Sequence, residues 1–241
     1  MRKILNYMLI AIGIIYLAHS CKPSDYYYGE YLKNGEIYYP GRVDSLLIIP
    51  GNQRAILGFR ATTDPKVDRV KIYLRSSLSP VAEIKSYPIE ANEHGKIKLI
   101  ALEGLSEATY TASVHSFTSQ GDSSRAVTTS QFIYGQSYIR TLVNRSFLKF
   151  DKTNANEHFL VLARESNLPR QGTFYPMQFT EVTYLNNTGD STTVRITPYE
   201  DFASLKNIVT PSTVKYRTVY KPILASIDYF YTAFTEQNYS K

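Results

Sequence analysis

The sequence predicts an all-β protein: two tandem β-sandwiches of the immunoglobulin kind placed after a cleaved export signal. Three observations lead there. Beyond residue 42 the chain breaks into short alternating segments separated by Pro, Gly, Asn and Asp at regular spacing, the pattern of sandwiches. No segment of that stretch sustains a helical period. The aromatic residues are 21 Tyr and 11 Phe with no Trp, and tyrosine suits half-buried strand positions.

Arg2 and Lys3 precede the apolar run that begins at Ile4 and ends at Cys21. A basic start, an apolar stretch of about 14 residues and small residues before a cut make a secretory signal. The run is shorter than the roughly 20 residues that a transmembrane helix needs. The only cysteine of the chain closes it. Residues 1–20 resemble a bacterial lipoprotein signal, with cleavage between Ser20 and Cys21 and lipid on the Cys21 thiol. Ala18 and His19 stand where the usual lipobox has an aliphatic and a small residue, a looser form of the kind tolerated in Bacteroidetes. The resemblance implies a membrane partner reached through the N-terminal lipid, and an outer-membrane address. Asp25, shortly after Cys21, favours the cell surface over the periplasmic face. Two or three acyl chains hold far more firmly than one.

Removing the signal takes two basic residues, leaving 25 Lys and Arg against 21 Asp and Glu, a balance of +4. That mild excess, without a run of Lys or Arg, carries no nucleic-acid signature, and export removes the chain from nucleic acid. It permits contact with acidic polysaccharide or lipid headgroups. The remaining length, about 220 residues, suits two ordinary domains.

Residues 21–42 are polar, rich in tyrosine, and read as a lipidated tether. Tyr26, Tyr27, Tyr28 and Tyr31 either form an aromatic platform near the membrane, pack on the first domain or stay disordered. The first sandwich spans 43–135, with strands expected at 43–49, 53–61, 68–75, 80–87, 95–102, 109–117 and 125–133. Pro50-Gly51-Asn52, Asp64-Pro65, Asn92 with Gly95, and Gly121-Asp122 supply the turns between them. Within it, Leu102-Glu103-Gly104-Leu105, followed by Tyr110, resembles the E–F corner of fibronectin type III domains. That resemblance implies a structural Tyr110 whose hydroxyl bonds back to the corner backbone. Phe59 and Tyr73 take the places where such modules usually carry a tryptophan and a tyrosine.

Residues 136–241 form the second sandwich, less regular than the first. Strands are expected at 146–150, 157–164, 177–184, 191–197, 213–220 and 227–234, with a seventh left open. Loops at 165–176 and 185–190 hold Pro169, Gly172, Pro176 and Asn186-Asn187-Thr188-Gly189.

Taken together, Tyr39-Pro40-Gly41-Arg42-Val43-Asp44, Pro50-Gly51-Asn52, Asp64-Pro65, Tyr134-Gly135-Gln136-Ser137-Tyr138, Asn144-Arg145, Tyr216-Arg217-Thr218 and Ser226 to Thr232 resemble an uncharacterised family of Bacteroidetes lipoproteins built from tandem fibronectin-III-like modules. Members are often associated with polysaccharide-utilisation systems. The resemblance implies a polysaccharide or an outer-membrane glycan-uptake complex as partner, and it brings no ligand set and no catalytic residues.

The residues point to no enzyme. There is no GxSxG, and the sole cysteine is assigned to lipid. Paired carboxylates occur in any β-rich chain by chance, and a sandwich has no deep cleft by default. His94, His115 and His158 are far apart, without metal-ligand spacing; calcium is conceivable at Asp/Asn loops such as that from Asn186 to Asp190, with no EF-hand spacing in the chain. No cofactor is implied. Carbohydrate binding would use exposed rings stacking on sugar faces with amide and carboxylate neighbours. Phe174, Tyr175, Tyr184 and Tyr199, in or beside the loops of the second sandwich, are the candidates, with packing of the second core as the alternative. Asp44-Ser45-Leu46 and Asp190-Ser191-Thr192 resemble Bacteroidetes O-glycosylation sites, Ser191 ranking above Ser45. The second function class is a structural or adhesive envelope protein, binding protein through a sheet edge or loop surface.

Overall fold

The computed structural model describes residues 29, 38–154 and 157–240. The expected signal, Cys21 and the tether tyrosines 26, 27, 28 and 31 lie outside the described residues. Among the described residues, every strand falls in one compact unit, Pro40–Lys241.

In the first half, β1 (Asp44–Pro50), β2 (Ala55–Arg60) and β5 (Ile97–Leu102) form a three-stranded antiparallel sheet in the order β1-β2-β5. Facing it are β4 (Glu83–Pro88), β3 (Val67–Ser76), β6 (Ala108–Thr118) and β7 (Val127–Ile133), in that spatial order. Strand β6 shows why these segments become strands: its alternate residues from Ala108 to Thr118 are buried, as a pleat with one face on a core requires. Leu57, Phe59, Val70, Ile72, Ala112, Val114 and Ile133 meet between the two sheets. Phe59 is 1% exposed and fills the centre of the core. Tyr73 instead faces outward and packs edge-on against His115, ring centroids 5.5 Å apart.

The E–F corner forms as its residues imply. Gly104 takes φ +68°, a region that glycine enters without steric cost. Ser106 N donates to the Tyr110 hydroxyl at 3.0 Å.

The second half repeats the plan. Strands β8 (Phe147–Asn154), β9 (Glu157–Leu162) and β12 (Phe202–Lys206) make a sheet in the order β12-β9-β8. Strands β10 (Met177–Leu185), β11 (Ser191–Ile196) and β13 (Ser212–Tyr220) make the other, in the order β11-β10-β13, and β14 (Phe230–Tyr231) and β15 (Thr235–Tyr239) both pair with β13. Each half is therefore a two-sheet, fibronectin type III-like sandwich, three strands with four in the first and three with five in the second. Strand β12 was not expected; it is five residues long, and its inward positions are Ala203 and Leu205, a faint alternation. The expected strand 227–234 is broken instead. Between the pairs Tyr216↔Thr235 and Val219↔Tyr231 the final strand carries one residue more than β13, which is a bulge. Asn144 fills it. Its Oδ1 accepts from Thr218 N at 2.6 Å and from the Thr232 hydroxyl, while its Nδ2 donates to Ala233 O and Thr235 Oγ1, both at 2.8 Å.

A short helix, α1 (Gln136–Thr141), joins the halves. Six residues are too few to display a period in the sequence. Glu107, from the E–F corner, accepts from Ser137 N at 2.6 Å and Tyr138 N at 2.7 Å, satisfying first-turn amides that an α-helix leaves without partners. On the far side, Asp228 accepts from Asn52 N at 2.8 Å and from Arg54 Nε at 2.9 Å, and Ile227 N donates to Pro50 O at 2.9 Å. A Cβ on Gly51 would lie 2.4 Å from Asp228 Oδ2, so the close approach of the two halves requires glycine there. Tyr134, Tyr138 and Phe230 pack edge-to-face beside this junction, with centroids 4.9 to 5.9 Å apart.

Candidate functional site

The family-like motifs turn out to be structural joints. Arg145 is 3% exposed. Its guanidinium donates to Ala163 O from Nε (3.2 Å) and Nη2 (2.9 Å) and to Glu200 O from Nη1 (2.7 Å), tying the end of β9 to the turn before β12. Burial lowers its pKa, opposed by the charges of Glu165, Asp201 and Glu200. Tyr216 lies in the second core. Arg217 points the other way, with its guanidinium carbon 4.2 Å from the Tyr231 ring centroid and 4.7 Å from that of Phe234. Glu181, 9% exposed at its side chain, pairs with both Arg217 (2.7 Å) and Arg195 (2.9 Å). These stacked faces and shared carboxylate hold the outside of the sheet together.

The turn from Thr197 to Glu200 sets up the candidate groove. Glu200 N donates to Thr197 O at 3.1 Å and the Glu200 carboxylate accepts from Thr197 N at 2.7 Å. This closed turn holds out Tyr199, whose hydroxyl donates to Pro169 O at 3.0 Å. Opposite it runs the loop 163–176, bent at Gly172, where φ is +92°. Phe174, Tyr175 and Tyr199 gather there around an open groove of about 390 Å³, together with Gln171, Gln178 and Leu224. The Tyr175 hydroxyl faces Glu165 Oε2 at 3.4 Å, and Gln178 Nε2 donates to the Tyr175 carbonyl. Burial raises the Tyr175 pKa, and Glu165 raises it further. The two tyrosine rings, Tyr175 and Tyr199, are anchored by their own hydroxyls, which leaves them little to lose in rotamer freedom on contact with a ligand.

Tyr184 does not join the other three. It is 4% exposed, sits in the second core, and donates to Lys206 O at 3.2 Å; alternation along β10 turns it inward beside Val182. For Tyr184 the packing alternative holds. Gln178, Leu224 and Glu165 were missed by the sequence reading, because a single amide, leucine or acid near a loop has no spacing to mark it.

His94 bonds Thr62 O, His115 bonds Ser124 O, and His158 bonds the Tyr239 hydroxyl. Among the described residues, no three His, Cys, Asp or Glu side chains are grouped as metal ligands. The loop from Asn186 to Asp190 closes on itself: Asn186 Oδ1 accepts from Thr188 N and Asp190 N, and the Thr188 hydroxyl reaches Asp190 Oδ2 at 2.7 Å. Ser45 and Ser191 are both exposed, Ser45 in the irregular start of β1.

Comparison with known proteins gives a family and a set of similar folds. The family model DUF4998, described as a domain of unknown function, matches residues 21–230. The chain is similar to a two-domain fibronectin type III segment from chicken tenascin, at 14% identity over 83% of this chain and 100% of that one, with a TM-score of 0.33. It is also similar to the FN1–FN3 domains of chicken CNTN1, at 10% identity over 86% of this chain and 70% of that one, with a TM-score of 0.43. No curated protein matches.

Proposed function

Because the chain belongs to the DUF4998 family, which supplies no activity of its own, we propose from its residues that it is a non-catalytic glycan-binding or accessory protein of the outer membrane. On this proposal it is exported by residues 1–20, lipidated at Cys21 and displayed at the cell surface, where it serves a polysaccharide-uptake complex. The first sandwich acts as a spacer and the second makes the contact. The observation that carries the proposal is the gathering of Phe174, Tyr175 and Tyr199, with two glutamines, at one groove whose size suits a small ligand. Aromatic faces beside amides are the chemistry of sugar recognition.

Affinity electrophoresis of residues 22–241 in gels containing single polysaccharides, at low and moderate salt, tests it. Retardation by one glycan that survives salt supports it. Retardation confined to low salt reduces the effect to charge, and no retardation by any glycan overturns it.

One observation favours a second reading, adhesion to a protein. The outer face of β1-β2-β5 exposes Leu47, Ile97 and Leu99, at 43%, 64% and 66%, and contiguous exposed apolar area often marks an interface. Cross-linking on intact cells, with and without Leu99→Lys, separates the two.

A further inference from the structure

A second groove of about 420 Å³ adjoins the first, and Tyr175 and Met177 line both. Its other walls include Asn144, Arg145, Glu165 and Tyr220. The Tyr220 hydroxyl donates to Val143 O at 2.7 Å. Burial, followed by the charge of Glu165, pushes its pKa up to about 12, so Tyr220 is a neutral phenol across the physiological range.

Charge decides what such a cleft can take. Among the described residues, no carboxylate, lysine or arginine lines the first groove. The second has Arg145 and Glu165, and they are not equally available. Arg145 is 3% exposed and spends its guanidinium on backbone carbonyls, whereas Glu165 is half-buried at the groove wall, where its Oε2 lies 3.4 Å from the Tyr175 hydroxyl and its charge is felt by both Arg145 and Tyr220. The charge a ligand meets is therefore the carboxylate. An anionic sugar placed here would meet the more exposed Glu165, while Arg145, the one cation among the described residues that line this groove, is already bonded to backbone carbonyls, a costly arrangement at a partly desolvated site. The lining thus sets one cation against one anion, whereas the chain as a whole carries a formal +6.

Building on the glycan-binding proposal, we infer that the two grooves are contiguous subsites for one uncharged polysaccharide chain, continuous across Tyr175, with Glu165 accepting sugar hydroxyls and rejecting uronate or sulfated sugars. A carboxylate accepts two hydroxyls at once and bonds them more strongly than a neutral acceptor does.

Calorimetric titration of the chain 22–241 with neutral malto-, cello- and manno-oligosaccharides of two to six units, and with oligogalacturonates of the same lengths, tests the inference. One neutral series is expected to gain about tenfold in affinity as its length comes to cover both grooves, with oligogalacturonates bound at least tenfold more weakly. Glu165→Gln should lower affinity for the long neutral oligomers severalfold, leave the short ones unchanged and narrow the gap to oligogalacturonate. Tyr175→Phe, which keeps the ring, guards against loss of fold in Tyr175→Ala; the alanine variant should weaken long oligomers about tenfold. Affinity independent of length, preference for oligogalacturonate, or indifference of both series to Glu165→Gln would overturn the two-subsite inference while leaving glycan binding intact. Absence of binding by every oligosaccharide, together with no retardation by any polysaccharide, overturns both.

Discussion

Arg54 and Asp228 meet across the two halves of the chain, 174 residues apart in sequence, through two hydrogen bonds, Nε to Oδ2 at 2.9 Å and Nη2 to Oδ1 at 2.5 Å. Asp228 Oδ2 also receives the Asn52 amide. The hydrogen bonds from Arg54, followed by that amide and the guanidinium charge, hold the Asp228 carboxyl below the usual carboxylate range against the opposing effect of burial. The folded protein thus releases this proton more readily than the unfolded one. Stability from the junction is complete above about pH 4, the ordinary aspartate pKa, and is lost as pH falls through the lower folded value. Acid titration of thermal unfolding should show that loss in the native chain and lack it in Asp228→Asn. With the Arg54 side screened by solvent, Asp228→Ala should cost about 1 kcal/mol, set by the stranded Asn52 amide.

Tyr110→Phe removes the acceptor of Ser106 N and keeps the ring. Tyr110 is 8% exposed while Ser106 is exposed, so the amide loses its partner at a part-buried corner. Urea unfolding should register a loss of about 1–2 kcal/mol, with the slope against denaturant unchanged.

Asn144→Ala empties the bulge between β13 and the final strand. Ala233 O and Thr235 Oγ1 lose the amide donor, while Thr218 N keeps the Thr232 hydroxyl at 2.9 Å. A destabilisation of about 1–3 kcal/mol is expected, with amide exchange fastest from 232 to 239. Protection unchanged in that segment would show that the side chain is dispensable there.

Two tyrosines of the second sandwich should separate by phenotype. Tyr184→Ala opens a cavity in the core and should cost about 3–5 kcal/mol in equilibrium unfolding. Tyr199→Ala should stay within about 1 kcal/mol of the parent and lose retardation in the glycan gels. Equal loss of binding in the two, at equal stability, would contradict the groove.

Ile97→Lys with Leu99→Lys alters two side chains that are 64% and 66% exposed. Stability should move by less than about 0.5 kcal/mol per site. A larger fall would mean that this face is covered within the folded chain.

Strand positions were legible wherever alternation between a buried face and solvent was strong. Residues 109–117 were expected as a strand and β6 runs Ala108–Thr118; 177–184 was expected and β10 runs Met177–Leu185. The corner around Gly104 and Tyr110 was legible as well, since a left-handed glycine and a tyrosine at short range form a local signal. What alternation could not show was β12, whose inward side chains are few and partly small, and the break after Tyr231, which depends on Asn144 from 88 residues away. Of the four aromatics named for the groove, three converge; Tyr184 was indistinguishable from them in sequence, because a tyrosine beside a loop has the same neighbours whether its strand turns it in or out.

By itself, then, the sequence determined the all-β class, most strand limits and the corner that closes the first sandwich, because these follow from period-two patterning and turn residues within a few positions of one another. Tertiary structure alone decided that Pro50-Gly51-Asn52 meets Ile227-Asp228, that Asn144 completes a distant strand, and that Tyr175 lies between two grooves. Those relationships join residues far apart in the chain through hydrogen-bond geometry and close packing, and neither leaves a periodic trace in the order of amino acids.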